Sequence, residues 1–274
     1  MDVEYLFFPQ WQGSGEHPDL YDGAELLFDE LKNDFDFSKI EVSREVRDEK
    51  PPIKYLKELE NQLSYAANLI QKTNPETIFT LGGDCSIELA PISFLNKKYD
   101  GDLSILWLDA HADLNTPESS PSGDFHGMPL RTLLGDGHND LVSKLFSEIS
   151  PSQIYLTGIR STDRSERDYI SDQGIKKCFI SNIIHSFREV TDHLSTIENE
   201  HIYIHFDLDF LDPSDVSSVP CPEAGGLSFD IALSLIEELK LRYKVVGGSI
   251  CEFNGKNKDE SRKVVGLARE LFEF

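Results

Sequence analysis

The apolar run Leu103-Ser104-Ile105-Leu106-Trp107-Leu108 passes directly into Asp109-Ala110-His111-Ala112-Asp113. A β-strand sends alternate side chains to one face, so Asp109, His111 and Asp113 point the same way if the backbone stays extended beyond the run. Carboxylates brought that close raise one another's proton affinity unless a cation compensates, so the arrangement asks for a metal. The design recurs where Ile202-Tyr203-Ile204-His205-Phe206 runs into Asp207-Leu208-Asp209. If the two strands are neighbours, four carboxylates and His111 form one cluster.

The remainder of the chain alternates in the same manner. Strands are expected over 3–8, 77–81, 103–108, 153–157, 177–180, 202–206 and 244–251. Helices are expected over 22–33 with Asp22 as cap, 51–72 opened by Pro51-Pro52, 87–97, 163–173, 183–199, 227–241 and 260–272. Strands and helices at this spacing predict βαβ crossovers, hence an α/β fold with a mainly parallel sheet and helices on both faces. The 274 residues, 39% of them hydrophobic, suffice for one domain over 1–274. Binding sites in such sheets lie beyond the carboxyl ends of the strands, where both acidic stretches fall. Gly82-Gly83 permits either a positive φ or a close backbone approach. Trp11 either lines a pocket or packs over the sheet edge.

Charge narrows the partners. Forty-nine acidic residues against 26 basic ones give a net charge of -23, which argues against nucleic acid and anionic membranes and weakly favours small cations. The four cysteines, Cys85, Cys178, Cys221 and Cys251, form no CxxC pair. With no N-terminal signal pattern and no apolar run near the roughly 20 residues of a spanning helix, a cytoplasmic setting is expected.

Oxygen and imidazole ligands suit Mn²⁺, with Zn²⁺, Fe²⁺ and Co²⁺ as competitors. An Asp between two ions can bridge them, and a water held by both is acidified into a nucleophile at neutral pH. His126, in His126-Gly127-Met128-Pro129, is a candidate proton donor because imidazole titrates near working pH. Glu252 is either a surface carboxylate or the anchor of a cationic group. Asp212, before Pro213, either ends the strand or supports the site.

With these residues in place, the sequence resembles the ureohydrolase superfamily of arginases, agmatinases and formiminoglutamases, closest to arginase. The resemblance rests on four ordered motifs: GGDCS at 82–86, DAHAD at 109–113, HGMP at 126–129 and DLDFLDP at 207–213. It implies a three-layer α/β/α sandwich, a binuclear manganese centre, hydrolysis of a guanidino compound to urea, and a trimer or hexamer. By the same resemblance Asp109 and Asp207 bridge the metals, Asp113 completes the first site with Cys85, and His111 and Asp209 complete the second. His126 matches the proton-shuttling histidine and Glu252 the carboxylate that pairs with the guanidinium. Asn115 and Ser122 match positions that bind a substrate α-carboxylate, and Asp163 and Glu166 those near its α-amino group. Asp124 replaces an asparagine common in arginases.

The motif normally reads GGDHS, so Cys85 stands where the family has histidine. Thiolate is softer than imidazole and fits Zn²⁺ or Fe²⁺ better than Mn²⁺; Co²⁺ and Ni²⁺ are further candidates. Three outcomes stay open: ordinary binding through sulfur, weaker binding, or a change of metal. The alternatives to an arginase-like hydrolase are an agmatinase or formiminoglutamase type of hydrolase, another amide hydrolase, and a degenerate member retained as a binding or regulatory protein.

Overall fold

Strands β4 (Leu103–Leu108) and β7 (His201–Asp207) are parallel neighbours in the computed structural model, with Trp107 opposite His205 and Leu108 opposite Phe206. The structure describes residues 2–47, 50, 52–179, 187–255 and 257–273. The other strands are β1 (Val3–Phe8), β2 (Phe37–Lys39), β3 (Thr77–Gly82), β5 (Ile154–Ile159), β6 (Lys176–Phe179) and β8 (Lys244–Cys251). All eight form one sheet in the order β2-β1-β3-β8-β7-β4-β5-β6. Every pairing is parallel, so the connections are crossovers and helices cover the two faces. Two large buried clusters result, one on each face of the sheet, beside a small one of Trp11, Leu20 and Tyr55. Helices Asp19–Leu31, Phe229–Arg242 and Lys258–Phe272 pack on one face, and Leu56–Thr73 and Leu89–Lys98 on the other.

The central strands are fully buried along their length: β3, β4, β5 and β7 expose no residue. Their register places the carboxyl ends of β3, β8, β7 and β4 side by side, with Leu81 opposite Ile250 and Asp207 opposite Cys251. The neighbour condition that the acidic stretches required is therefore met.

Several boundaries depart from the sequence expectation. The first helix starts at Asp19, after Pro18 with φ -66°, so Asp22 sits in the first turn rather than at the cap. The second starts only at Leu56, because Tyr55 has φ 54° and breaks any continuous helix from the prolines; Pro51 lies outside the described residues. The stretch after Asp84 begins as a single 3₁₀ turn, Cys85–Glu88, before the helix Leu89–Lys98. The expected strand end at Ile180 and helix start at Ile183 lie outside the described residues, and the described helix is Phe187–Leu194. Strand β2 was not expected, being a three-residue edge piece with one apolar side chain. Trp11 is fully buried, donates from Nε1 to the Ser43 carbonyl at 2.8 Å and packs edge-on against Tyr55.

Candidate metal centre

The turn after β3 is held by close backbone approach. A Cβ on Gly83 would lie 1.7 Å from the Gln10 carbonyl oxygen, and neither Gly82 nor Gly83 has positive φ. The next residue, Asp84, is fully buried. Its Oδ2 accepts the N–H groups of Gly13 at 2.8 Å and Ser14 at 3.3 Å, and its Oδ1 that of Ser86 at 2.9 Å. Burial, then the charge of Glu252, pushes Asp84 up to about 7. These bonds fix Cys85, whose N–H donates to Glu252 Oε1 at 3.1 Å and whose thiol donates to Asp207 Oδ2 at 3.1 Å.

Strand β4 ends at Leu108, and the backbone does not stay extended through DAHAD: Asp113 has φ 52°. Convergence is achieved instead by Asx turns. Asp109 Oδ1 accepts the N–H of His111 at 2.5 Å, and Asp207 Oδ1 that of Asp209 at 2.7 Å. The two turns are tied across the sheet, since Asp209 Oδ1 accepts the N–H of Ala110 at 2.9 Å and its Oδ2 lies 2.8 Å from His111 Nδ1. Asp109 Oδ2 also accepts from Trp107 Nε1 at 3.0 Å. Asp109, Asp113, Asp207 and Asp209 are each at most 4% exposed. Arg160 braces the loop after β7 by donating to the carbonyls of Gly158, Asp209, Leu211 and Glu223. Asp212 accepts from the N–H groups of Ser214 and Gly225 and shapes that same loop.

Among the described residues, three groups each have their ligand atoms within 4.8 Å of one another: Asp109, His111 and Asp209; Cys85, Asp109, Asp113 and His205; and Cys85, His205, Asp207 and Cys251. His205 and Cys251 were missed in the sequence. His205 is read as strand interior, yet it is two residues before Asp207 and so shares its face, a signal available from period-2 alternation. Cys251 ends β8, with its sulfur 3.7 Å from that of Cys85.

A cleft opens above these groups, lined by Cys85, His111, Asp113, His126, Glu252 and Cys221 among others. His126 Nδ1 is 3.2 Å from Glu252 Oε1, whereas Glu252 Oε2 is buried with no hydrogen-bond partner. Of the positions expected to touch substrate, Glu166 and Glu252 line the cleft. Glu166 also accepts the N–H groups of Leu114 and Asp163. Asn115, Asp163 and Ser122 do not line it. Asn115 donates to Asp163 at 2.9 Å and accepts from Ser119 and Ser165, while exposed Ser122 accepts from the Asp124 N–H. Asp124 is neutralised by Lys54 at 3.0 Å.

The electrostatics call for cations. Burial, then neighbouring carboxylates, pushes Asp207 and Asp113 well above the ordinary carboxylate range, and Asp209 rises to about 6 for the same reasons. Burial pushes the Cys85 and Cys251 thiols well up. Asp113 Oδ2 and His205 Nε2 are buried without a hydrogen-bond partner, an arrangement that costs free energy unless another group is bound there. The mixed carboxylate, imidazole and sulfur set fits transition-metal ions.

A family model described as the arginase family matches residues 20–273. The chain belongs to the arginase family. It is 40% identical over 186 residues to the arginase of Bacillus subtilis (strain 168), covering 64% of this chain and 62% of that protein. It is 34% identical over 200 residues to the arginase of Staphylococcus aureus (strain COL), covering 70% and 66%. These matches thus span somewhat less than two thirds of either relative. The fold is similar to that of Entamoeba histolytica arginase solved in complex with L-ornithine, with a TM-score of 0.89, 26% identity and coverage of 99% and 98%. The arginase family binds a binuclear metal centre, and the buried ligand groups described above fit one. Among the described residues, no helix is long and apolar enough to cross a membrane.

Proposed function

We propose that the chain, acting as one domain over 1–274, is a metal-dependent ureohydrolase that splits a small guanidino compound, arginine first, into urea and an amine. The observation that carries this reading is Glu252: a buried carboxylate with one oxygen anchored and the other unpartnered, facing a cleft beside the ligand groups. A planar guanidinium matches a free carboxylate oxygen in charge and donor geometry.

Asp109 and Asp207 would lie between two ions, Asp113 and Cys85 would complete the first site, and His111 and Asp209 the second. When bound, the ions supply Lewis acidity and acidify water. Glu252 Oε2 binds and orients the guanidinium. His126 Nδ1 is tied to Glu252 Oε1 at 3.2 Å, which keeps its ring beside the substrate nitrogens. Burial pushes His126 down, but hydrogen bonding to Glu252 and its charge outweigh it and hold the imidazole up to about 9. A proton is therefore available at neutral pH for the departing amine. The thiolate at Cys85 favours Zn²⁺, Fe²⁺ or Co²⁺ over Mn²⁺ at the first site.

Agmatine is the second substrate to consider, because Asn115 and Asp163 satisfy each other and neither lines the cleft. The deciding experiment scores urea release from arginine and agmatine with Mn²⁺, Zn²⁺, Fe²⁺, Co²⁺ and Ni²⁺ in turn. Release with at least one pair supports the reading. No urea from any guanidino compound under any metal overturns it and leaves a binding protein.

A further inference from the structure

His205 is fully buried in β7, two residues before Asp207, and its ring stacks on Trp107 with centroids 3.6 Å apart. Its Nδ1 lies 2.6 Å from Glu88 Oε1. Glu88 is also fully buried and accepts from the Tyr203 hydroxyl at 2.6 Å and from the Ser249 hydroxyl. A carboxylate surrounded by donors can only accept, so the proton of a neutral His205 resides on Nδ1 and the lone pair on Nε2. That lone pair has no hydrogen-bond partner: Asp109 Oδ2, at 3.6 Å, is beyond hydrogen-bond distance. Nε2 is on the Asp109 side of the ring, and His205 offers a ring nitrogen that lies with ligand atoms of Cys85, Asp109 and Asp113, all within 4.8 Å of one another.

A carboxylate on one ring nitrogen and an open lone pair on the other is how proteins present a metal-binding histidine. We propose that His205 binds the first metal through Nε2, supplying the imidazole that Cys85 has displaced from the glycine-rich turn, with Glu88 as its positioning residue. The inference rests on the two-metal reading above. It turns the loss at position 85 into an exchange: the imidazole arrives from β7 and the turn contributes sulfur. The first site then has sulfur, nitrogen and the carboxylates of Asp109, Asp113 and Asp207, a mixed set in which the sulfur favours Zn²⁺, Co²⁺ or Fe²⁺ over Mn²⁺. It also gives the Glu88, Tyr203 and Ser249 cluster a purpose, since nothing in the reaction otherwise uses the buried carboxylate at the end of the turn after β3.

The experiment is metal binding by the whole chain. Chelator-treated protein is titrated with Co²⁺, followed by absorption, and retained metal is counted after gel filtration. The wild type should take up two equivalents, one of which brings a thiolate-to-cobalt band. In His205→Ala that equivalent should be lost, and in Glu88→Gln, checked by circular dichroism to be folded, weakened about 10–100-fold while the other equivalent binds as in the wild type. A folded His205→Ala protein that retains both equivalents at wild-type affinity overturns the inference. If that variant does not fold, wild-type protein carrying isotope-labelled histidine and loaded with cadmium decides the question. Nitrogen–cadmium coupling at two histidines, His111 and His205, supports the inference, and coupling at one alone overturns it. Wild-type protein that binds no metal overturns the two-metal reading as well, whereas two equivalents with one coupled histidine overturns only the assignment of His205.

Discussion

His126 Nδ1 and the backbone N–H of Cys85 share Glu252 Oε1, at 3.2 and 3.1 Å, and leave Oε2 free. The carboxylate lines the cleft, held in place by one oxygen and with the other buried and unpartnered. Glu252→Gln preserves the size and one acceptor but presents either an amide NH₂ or a neutral oxygen to a cationic group. Losing a charge-assisted pair costs about 1.5–3 kcal/mol, so KM for the guanidino substrate should rise by about 10–100-fold. Urea assays across substrate concentration test this. A wild-type KM would remove Glu252 from substrate binding.

The same pair sets a pH limit. His126 has a folded pKa raised above its ordinary value, to about 9. Its protonated form is thus fully present below about 6.5 and is lost as pH rises through about 9. If His126 gives the proton to the leaving amine, kcat/KM falls on the alkaline side with that midpoint. His126→Asn should abolish this limb and lower kcat by about 100-fold or more. Addition of free imidazole should restore part of the rate. A variant with the wild-type alkaline limb would assign that limb to another group.

The sheet was largely legible because its strands are apolar runs buried on both faces, and the helices carry a 3.6-residue stripe. The edge strand β2 had no such signal in Phe37-Ser38-Lys39. Asp109, Asp207 and their partners stood out because charged residues rarely follow apolar runs so closely. The manner of their convergence did not, since Asx turns and the positive φ of Asp113 replace the extended backbone that alternation assumes. His205 was hidden for a physical reason: an imidazole inside a strand reads as core until its partner Glu88, distant by 117 positions, is placed beside it. The loop positions Asn115, Ser122 and Asp163 show the opposite effect. Their spacing fits a motif, but Asn115 and Asp163 bond each other between two separate loops, Ser122 accepts from the Asp124 N–H, and none of the three lines the cleft.

Gly83 tests the turn that carries Cys85. Its Cβ position is 1.7 Å from the carbonyl oxygen of Gln10, and that carbonyl accepts the N–H of Asp84 at 2.8 Å. Gly83→Ala must therefore push two backbone segments apart and break this bond. A destabilisation of about 2–4 kcal/mol is expected from such overpacking combined with a lost buried hydrogen bond. Denaturant unfolding measures it, and a change below about 0.5 kcal/mol, the range of an ordinary surface substitution, would show that the turn can relax.

Metal removal should destabilise the protein more as pH rises. Without cations, burial and neighbouring carboxylates raise the folded pKa of Asp113 and Asp207 well above the ordinary value and that of Asp209 to about 6. The folded state then binds more protons than the unfolded chain between about 4 and those values, so stability falls as pH rises across that window. His205, held up to about 9 by Asp109 and Glu88 against the downward push of burial, acts in the same direction. Its contribution is present below about 6.5 and is lost as pH rises through about 9. Bound cations remove the carboxylate repulsion, and a metal at 100 times its Kd adds about 2.7 kcal/mol. The melting temperatures of metal-loaded and chelated protein should accordingly diverge from pH 5 to pH 8, reaching several degrees. A gap that is constant or shrinks over this range would mean that these buried carboxylates are not the groups the metal neutralises.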